Sequence, residues 1–137
     1  MMKITLSKEV GRVDVTVLRI EGQLDGQTYQ ELIEKAQSVY KAGSRNFLLD
    51  LSELTYISSA GLVALHTIAL LANGDALPDT EAGWSTLRSA GRAGSGGVQE
   101  HVKLYNPQEN IKNVLDMVGF GNAFEIFTDL DKAVKSF

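Results

Sequence analysis

Residues 55–65 read Thr55-Tyr56-Ile57-Ser58-Ser59-Ala60-Gly61-Leu62-Val63-Ala64-Leu65. The stretch begins like a strand and ends like a helix, and its apolar character runs on through Ile68, Ala69, Leu70 and Leu71. A helix that is apolar on nearly every side belongs inside a core. At the junction stand two serines, an alanine and a glycine. Serine is a favoured N-cap because its hydroxyl accepts from an unpaired backbone N–H of the first turn. One hydroxyl is enough for that task, so the second raises a question of function.

Working outward, Phe47-Leu48-Leu49-Asp50-Leu51 is a short, nearly unbroken apolar run, as expected of a central strand covered on both faces. The serine turn therefore falls at the carboxyl edge of a sheet, where ligands and chemistry gather in open α/β folds. Toward the N-terminus, Ile4 and Leu6 alternate with polar residues, Lys8 to Arg12 reads as a hairpin turn, and Val13, Val15 and Val17 resume the alternation. Leu18 and Ile20 shift it by one residue, which predicts either a bulge or burial of both faces. Gly22 is expected to end that strand and Asp25 to cap the next helix. Tyr29, Leu32, Ile33, Ala36, Val39 and Tyr40 give that helix its apolar stripe, and Gly43 its stop.

Toward the C-terminus, Val102 and Leu104 predict another strand. In Asn106-Pro107-Gln108-Glu109 the N-cap, N1 proline and N3 glutamate are in register for a helix start at Asn106. Ile111, Val114, Leu115 and Val118 form its stripe, with Gly119 as the stop. Ala123 to Phe127 reads as a last strand, and Thr128, followed by Asp129 and Asp131, opens a short terminal helix with Leu130, Ala133, Val134 and Phe137. A hairpin followed by alternating helices and strands predicts a single α/β domain over 1–137 with a mixed β-sheet. Residues 73–100 interrupt the pattern, holding six of the thirteen glycines, Pro78 and the only tryptophan, Trp84. Connections are usually ~4–6 residues long, so this stretch reads as an insertion or a functional loop. Within it, Trp84 and Leu87 are spaced for one face of a short helix, and Arg88 and Arg92 make it locally basic.

Composition narrows the function classes. The 137 residues are 44% hydrophobic and carry a net charge of −4, with no cysteine. Disulfides and cysteine-ligated metals are excluded, and no metal or cofactor is expected. The scattered Lys and Arg argue against direct nucleic-acid binding, which relies on clustered cations. No apolar run reaches the ~18 residues of a membrane span, and the first residues lack a signal-peptide pattern, so a cytoplasmic protein is expected.

Four readings of the serine turn compete. The plainest is a serine N-cap and nothing more. A nucleophile elbow needs Gly-x-Ser-x-Gly, and here Ile57 stands at the first glycine. His66 lies about two turns beyond Ser59, ~10 Å along the axis, and His101 is at the start of a strand, so an enzyme is not expected. The lysine and glycine-rich approach of a phosphate-binding loop are missing. The last reading is a serine that is itself phosphorylated: a phosphate adds about −1.5 to −2 charges, and a helix N-terminus tolerates them best. The fold would survive while the surface changed sign.

Asp50-Leu51-Ser52-Glu53-Leu54-Thr55-Tyr56-Ile57-Ser58-Ser59-Ala60-Gly61-Leu62 resembles the signature of STAS domains, in particular the bacterial anti-sigma factor antagonists. Gly22-Gln23-Leu24-Asp25 resembles the Gly-x-Leu-Asp that leads into that family's first helix. Element order agrees along the chain apart from residues 73–100. The resemblance implies partner switching: the unphosphorylated antagonist binds an anti-sigma factor that is also a serine kinase, phosphorylation releases it, and a phosphatase restores it. It places the phosphoacceptor at Ser59, with Ser58 as the alternative, and the partner-binding surface at Asp25, Ser58, Ser59 and Gly61. Ser58 stands where well-known members often have aspartate, and Ala60 where they have serine or threonine. Stand-alone STAS proteins also serve stress signalling complexes and membrane-lipid transporters, so the resemblance equally implies, as an alternative, an unphosphorylated scaffold or ligand-sensing subunit.

Overall fold

The computed structural model describes residues 2–72 and 100–137. Its elements are β1 (Met2–Val10), β2 (Asp14–Leu24), α1 (Tyr29–Lys41), β3 (Phe47–Asp50), β4 (Leu54–Ile57), α2 (Ser59–Ala72), β5 (Val102–Tyr105), α3 (Glu109–Met117), α4 (Phe120–Ala123), β6 (Ile126–Phe127) and α5 (Leu130–Lys135). The sheet order is β1-β2-β3-β5-β6, with β4 also on β2. The β1–β2 pair is antiparallel and the others are parallel, so the sheet is mixed as expected. The expected insertion at about 73–100, including Trp84, Arg88 and Arg92, lies outside the described residues apart from Glu100.

Two layers of unequal size cover the sheet. On one face Leu18, Ile20, Leu24, Phe47, Leu49 and Leu104 join residues of α1, α2, α3 and α4 in the main core. On the other, Val15, Val17 and Leu48 meet Ala133 and Val134 of α5. This explains the shifted alternation of β2. The β1–β2 register runs without a break from Met2↔Gly22 to Val10↔Asp14, so the strand has no bulge at Val17-Leu18. Instead Val15 and Val17 point to the small layer and Leu18 and Ile20 to the large one. Burial of both faces is the correct alternative. The irregularity sits further on, where the β2–β4 register shifts between Gly22 and Gln23 and Gly22 adopts φ +96°. Gly22 therefore bends the strand without ending it.

Several boundaries differ from the sequence expectation. The hairpin turn is confined to residues 11–13, because every residue of Lys8–Val10 pairs with β2. Asn106 is no N-cap: its N–H donates to the Phe127 carbonyl (2.7 Å) and its φ is +51°, so the helix waits for Gln108 as N-cap. Residues 120–123 form the short helix α4, leaving β6 only two residues. The last helix is capped by Asp129, whose side chain accepts from the Lys132 N–H, and not by Thr128. The expected stop at Gly43 is present, at φ +115°, with the Ser44 N–H on the Val39 carbonyl.

Between β3 and α2 the chain makes a step that positions the site. After Asp50, whose carboxylate takes hydrogen bonds from the Ser52 N–H (3.0 Å) and hydroxyl (2.6 Å), the chain turns and rejoins β2 as β4. Leu24 and Ile57, the last residues of β2 and β4, are register partners. Helix α2 then enters the core, burying Gly61–Leu65, Thr67–Ala69 and Ala72. Its one buried polar side chain, Thr67, donates back to the Val63 carbonyl at 2.8 Å, so it leaves no unmet group. No helix among the described residues is long and apolar enough to cross a membrane.

Candidate functional site

The serine turn is fixed from below by backbone. The Ser58 N–H donates to the Leu24 carbonyl at 2.9 Å, and the Ser58 carbonyl accepts from the Leu62 N–H at 3.0 Å. Ser58 is thus the residue before the helix, and its hydroxyl accepts a long bond from the Gly61 N–H, 3.4 Å. Ser59 opens the helix, and its hydroxyl makes no hydrogen bond to another described residue. Both serines are half-buried, less open than a fully exposed turn, while Leu62 and Leu65 are buried. The two hydroxyls are distinct: one caps, and the other has no partner among the described residues.

Gly61 is buried, and the reason is steric. A Cβ there would lie 2.6 Å from Ile57 Cγ1, 2.8 Å from the Leu24 carbonyl oxygen and 2.9 Å from Leu24 Cγ. Only glycine lets the first turn of α2 press onto the ends of β2 and β4. Any part it has in a partner surface is therefore indirect, through the placement of the serines.

Asp25 is brought beside the turn because it follows Leu24 directly. It does not cap α1 itself, which begins at Tyr29 with Thr28 as N-cap. Its carboxylate accepts from the Gln27 N–H at 2.9 Å and so closes the turn that feeds the helix. Thr28 completes the knot: its hydroxyl accepts from the Asp25 N–H (2.9 Å) and lies 2.9 Å from the Gln23 carbonyl and 3.3 Å from the Asp25 carboxylate. Having a single proton, it donates to the nearer carbonyl. Asp25 is half-buried, and part of its acceptor capacity is left for other partners. The sequence reading missed Thr28, although a threonine just before the apolar stripe is itself a helix-start signal.

Among the described residues no strand pairs with the outer side of β4. Two amides of the α3 start cover it instead: Gln108 Nε2 donates to the Ser52 carbonyl (3.1 Å) and Asn110 Nδ2 to the Thr55 carbonyl (3.0 Å). Tyr56, two residues before Ser58, is 50% exposed. Neither amide was evident from the sequence, since nothing local pairs residue 110 with residue 55.

The electrostatics favour an added anion. The first turn of α2 has no acidic residue, and among the described residues the Ser58 hydroxyl is the only side chain that bonds its N–H groups. Neither histidine is placed to act as a base for the serines. His66 sits inside α2, half-buried, and desolvation lowers its pKa. His101 pairs with Asn46 (3.0 Å) and gives its carbonyl to the Phe47 N–H at the opposite end of the sheet. Phe47 is level with Thr16 and Ile57 with Leu24, eight residues along β2, or about 26 Å. Among the described residues no cluster of three or more His, Asp or Glu is arranged to hold a metal.

Comparison with known proteins agrees with this architecture. Three solved structures share it over nearly their whole length. An anti-sigma factor antagonist from Mycobacterium paratuberculosis matches with a TM-score of 0.67 and 15% identity, covering 99% of this chain and 93% of that one. A candidate anti-sigma factor antagonist from Thermotoga maritima matches with a TM-score of 0.67 and 17% identity, covering 95% and 92%. The antagonist SpoIIAA in its unphosphorylated form matches with a TM-score of 0.61 and 13% identity, covering 95% and 93%. At such identities the likeness is one of fold. No curated protein matches the sequence. The family model described as "Mlab, STAS domain" matches residues 9–77, a span that holds β2, the Asp25 turn, the serine turn and α2. With the fold and half of the sequence in agreement, this chain belongs to the STAS domain family.

Proposed function

We propose that this protein is an anti-sigma factor antagonist that acts from the cytoplasm by reversible binding to an anti-sigma factor with serine kinase activity. Ser59 is the control point. The kinase transfers the γ-phosphoryl group of ATP to the Ser59 oxygen, the hydroxyl proton leaves, and ADP is released. A phosphatase returns the hydroxyl by hydrolysis. Asp25, Ser58 and Ser59 form the contact surface, and Gly61 holds it in place.

The observation that carries this reading is the division between the two serines. Ser58 holds the cap, while the Ser59 hydroxyl has no hydrogen bond to a described residue and stands at the start of a helix buried almost throughout. A phosphate at Ser59 would leave the core intact and add about −1.5 to −2 charges to the surface that a partner meets. A second reading is an unphosphorylated STAS scaffold or ligand-sensing subunit of a signalling or transport complex. It is favoured by the Mlab type of the matching family model and by Ser58 in place of an acidic residue.

The test is intact mass after incubation with the cognate kinase and ATP, followed by calorimetric titration of wild type, Ser59→Ala and Ser59→Asp. The expected result is one added phosphate on wild type, none on Ser59→Ala, and retention of the partner by Ser59→Ala. Ser59→Asp should bind ~100-fold more weakly, because an unpartnered charge in an interface costs about 3 kcal/mol or more. Equal affinities for all three proteins would sink the Ser59 switch. Phosphate on Ser58 would move it back one residue, and no phosphate at all would favour the scaffold.

A further inference from the structure

Strand β1 is an edge with an unusual composition. It runs nine residues and pairs with β2 in an unbroken register, and no described residue pairs with its outer side. Of its residues only Met2 is buried, and Ile4 is half-buried. Leu6 is 42% and Val10 78% exposed, two of the six large apolar side chains left open among the described residues. Long regular edges with exposed apolar residues are templates for pairing with another chain.

The sequence of the edge is complementary to itself. A second copy related by a two-fold axis perpendicular to the sheet would continue it antiparallel, with the helices of both copies on the same side. Facing residues then share a face, which requires their numbers to sum to an even value. With the axis at Leu6 the sum is 12, and all nine residues find partners. Lys3 faces the partner copy's Glu9 twice over, Leu6 faces Leu6, Val10 faces Met2, Thr5 faces Ser7, and Ile4 faces Lys8, the one unmatched pairing. Moving the register by two residues in total destroys this match. A sum of 10 sets Lys3 against Ser7 and Met2 against Lys8 and leaves Glu9 and Val10 unpaired. A sum of 14 sets Thr5 against Glu9 and Leu6 against Lys8 and leaves Lys3 unpaired. Only one register joins both opposite charges and both exposed apolar residues, and cross-strand pairs of these kinds are what stabilise a sheet.

We infer that β1 is a homodimerisation edge, pairing antiparallel with β1 of a second copy about Leu6 with Lys3 opposite Glu9. This surface does not include the serine turn, so the inference stands or falls apart from the partner-switching reading. One strand pair buries less than the ~1,200 Å² of a standard stable interface, so the dimer is a weak one, populated at micromolar concentration and above.

The experiment is sedimentation equilibrium of the full chain from ~10 to ~500 µM for wild type, Lys3→Glu, Glu9→Lys and the double variant. Wild type should rise from the monomer mass toward twice that value. Each single variant sets like charges opposite each other at two places, and should stay monomeric over the whole range or bind at least ~10-fold more weakly. The double variant restores opposite charges and should regain the dimer. Both side chains are exposed, and circular dichroism checks that each variant folds. Glu9→Lys is the cleaner single change, since Glu9 faces Val15 within the chain while Lys3 faces Glu21. A wild type that is monomeric throughout, a Glu9→Lys dimer of unchanged strength, or a double variant that stays monomeric would each overturn the inference.

Discussion

Helices α2 and α3 both begin at the same end of the sheet, and both have polar residues where a cap is expected. They use them in opposite ways. At the start of α3, Gln108 and Asn110 turn their amides onto the carbonyls of Ser52 and Thr55, and Asn106 is held in a left-handed conformation by Phe127. Its polar groups serve the scaffold. At the start of α2, Ser58 caps and Ser59 has no bonding task among the described residues. The bodies of the helices differ in the same sense. α3 buries only Ile111 and Leu115, whereas α2 is buried almost all round. A helix so firmly held can present an unused hydroxyl without losing its own position, and that combination is what a charge-controlled contact requires.

Gly61 offers the strongest way to break this arrangement. An added methyl would press on Ile57, on Leu24 and on the Leu24 carbonyl, which as backbone cannot step aside cheaply. Gly61→Ala should lose about 1–3 kcal/mol, as overpacked cores do. Gly26 is the control: it flanks Asp25, a methyl added there would meet nothing within 4 Å, and its φ is not positive. Gly26→Ala should stay within ~0.5 kcal/mol of wild type. Urea denaturation of the two variants measures the difference, and equal losses would mean that the tight seat of α2 is not what fixes the serines.

A smaller effect is expected at α3. Removing both amides in Gln108→Ala/Asn110→Ala should cost about 1 kcal/mol in all, since each hydrogen bond is exposed and water can replace it. Hydrogen exchange should show the loss as faster exchange in β4, with α2 unchanged. Exchange that accelerates equally in α2 would show that the serine turn is supported from outside and not from Leu24.

How far the sequence revealed this structure depended on whether the cause was local. The serine turn, α2 and the stop at Gly43 follow from apolar spacing, capping and glycine within a few residues, and each was legible. The start of α3 was misplaced by two residues because a distant carbonyl, that of Phe127, captures the Asn106 N–H. The irregular alternation of β2 admitted two causes, and only the position of α5, more than a hundred residues on, separates them. The site was more legible: Ser58 and Ser59 are identified by their place on the chain and the resemblance groups Asp25 with them, while the pairing of Leu24 with Ile57 supplies the physical reason that they are neighbours. Two caps are local yet hard to assign from sequence, because each has a plausible neighbour: Thr28 stands near Asp25, and Asp129 follows Thr128.

The smallest expected effect separates the two hydroxyls themselves. Ser58→Ala removes a cap, which costs ~0.5–2 kcal/mol in general, and the 3.4 Å bond to the Gly61 N–H puts this one near the lower end. Ser59→Ala removes no hydrogen bond to a described residue and replaces serine by the best helix former, so its stability should stay within ~0.3 kcal/mol of wild type and can even rise. The two substitutions remove the same atom from adjacent residues, so their difference isolates position from chemistry. Paired urea titrations at one pH resolve it. If Ser59→Ala proved the costlier change, Ser59 would be the structural cap and Ser58 the hydroxyl without a bonding task, and the proposed phosphate would then be sought on Ser58.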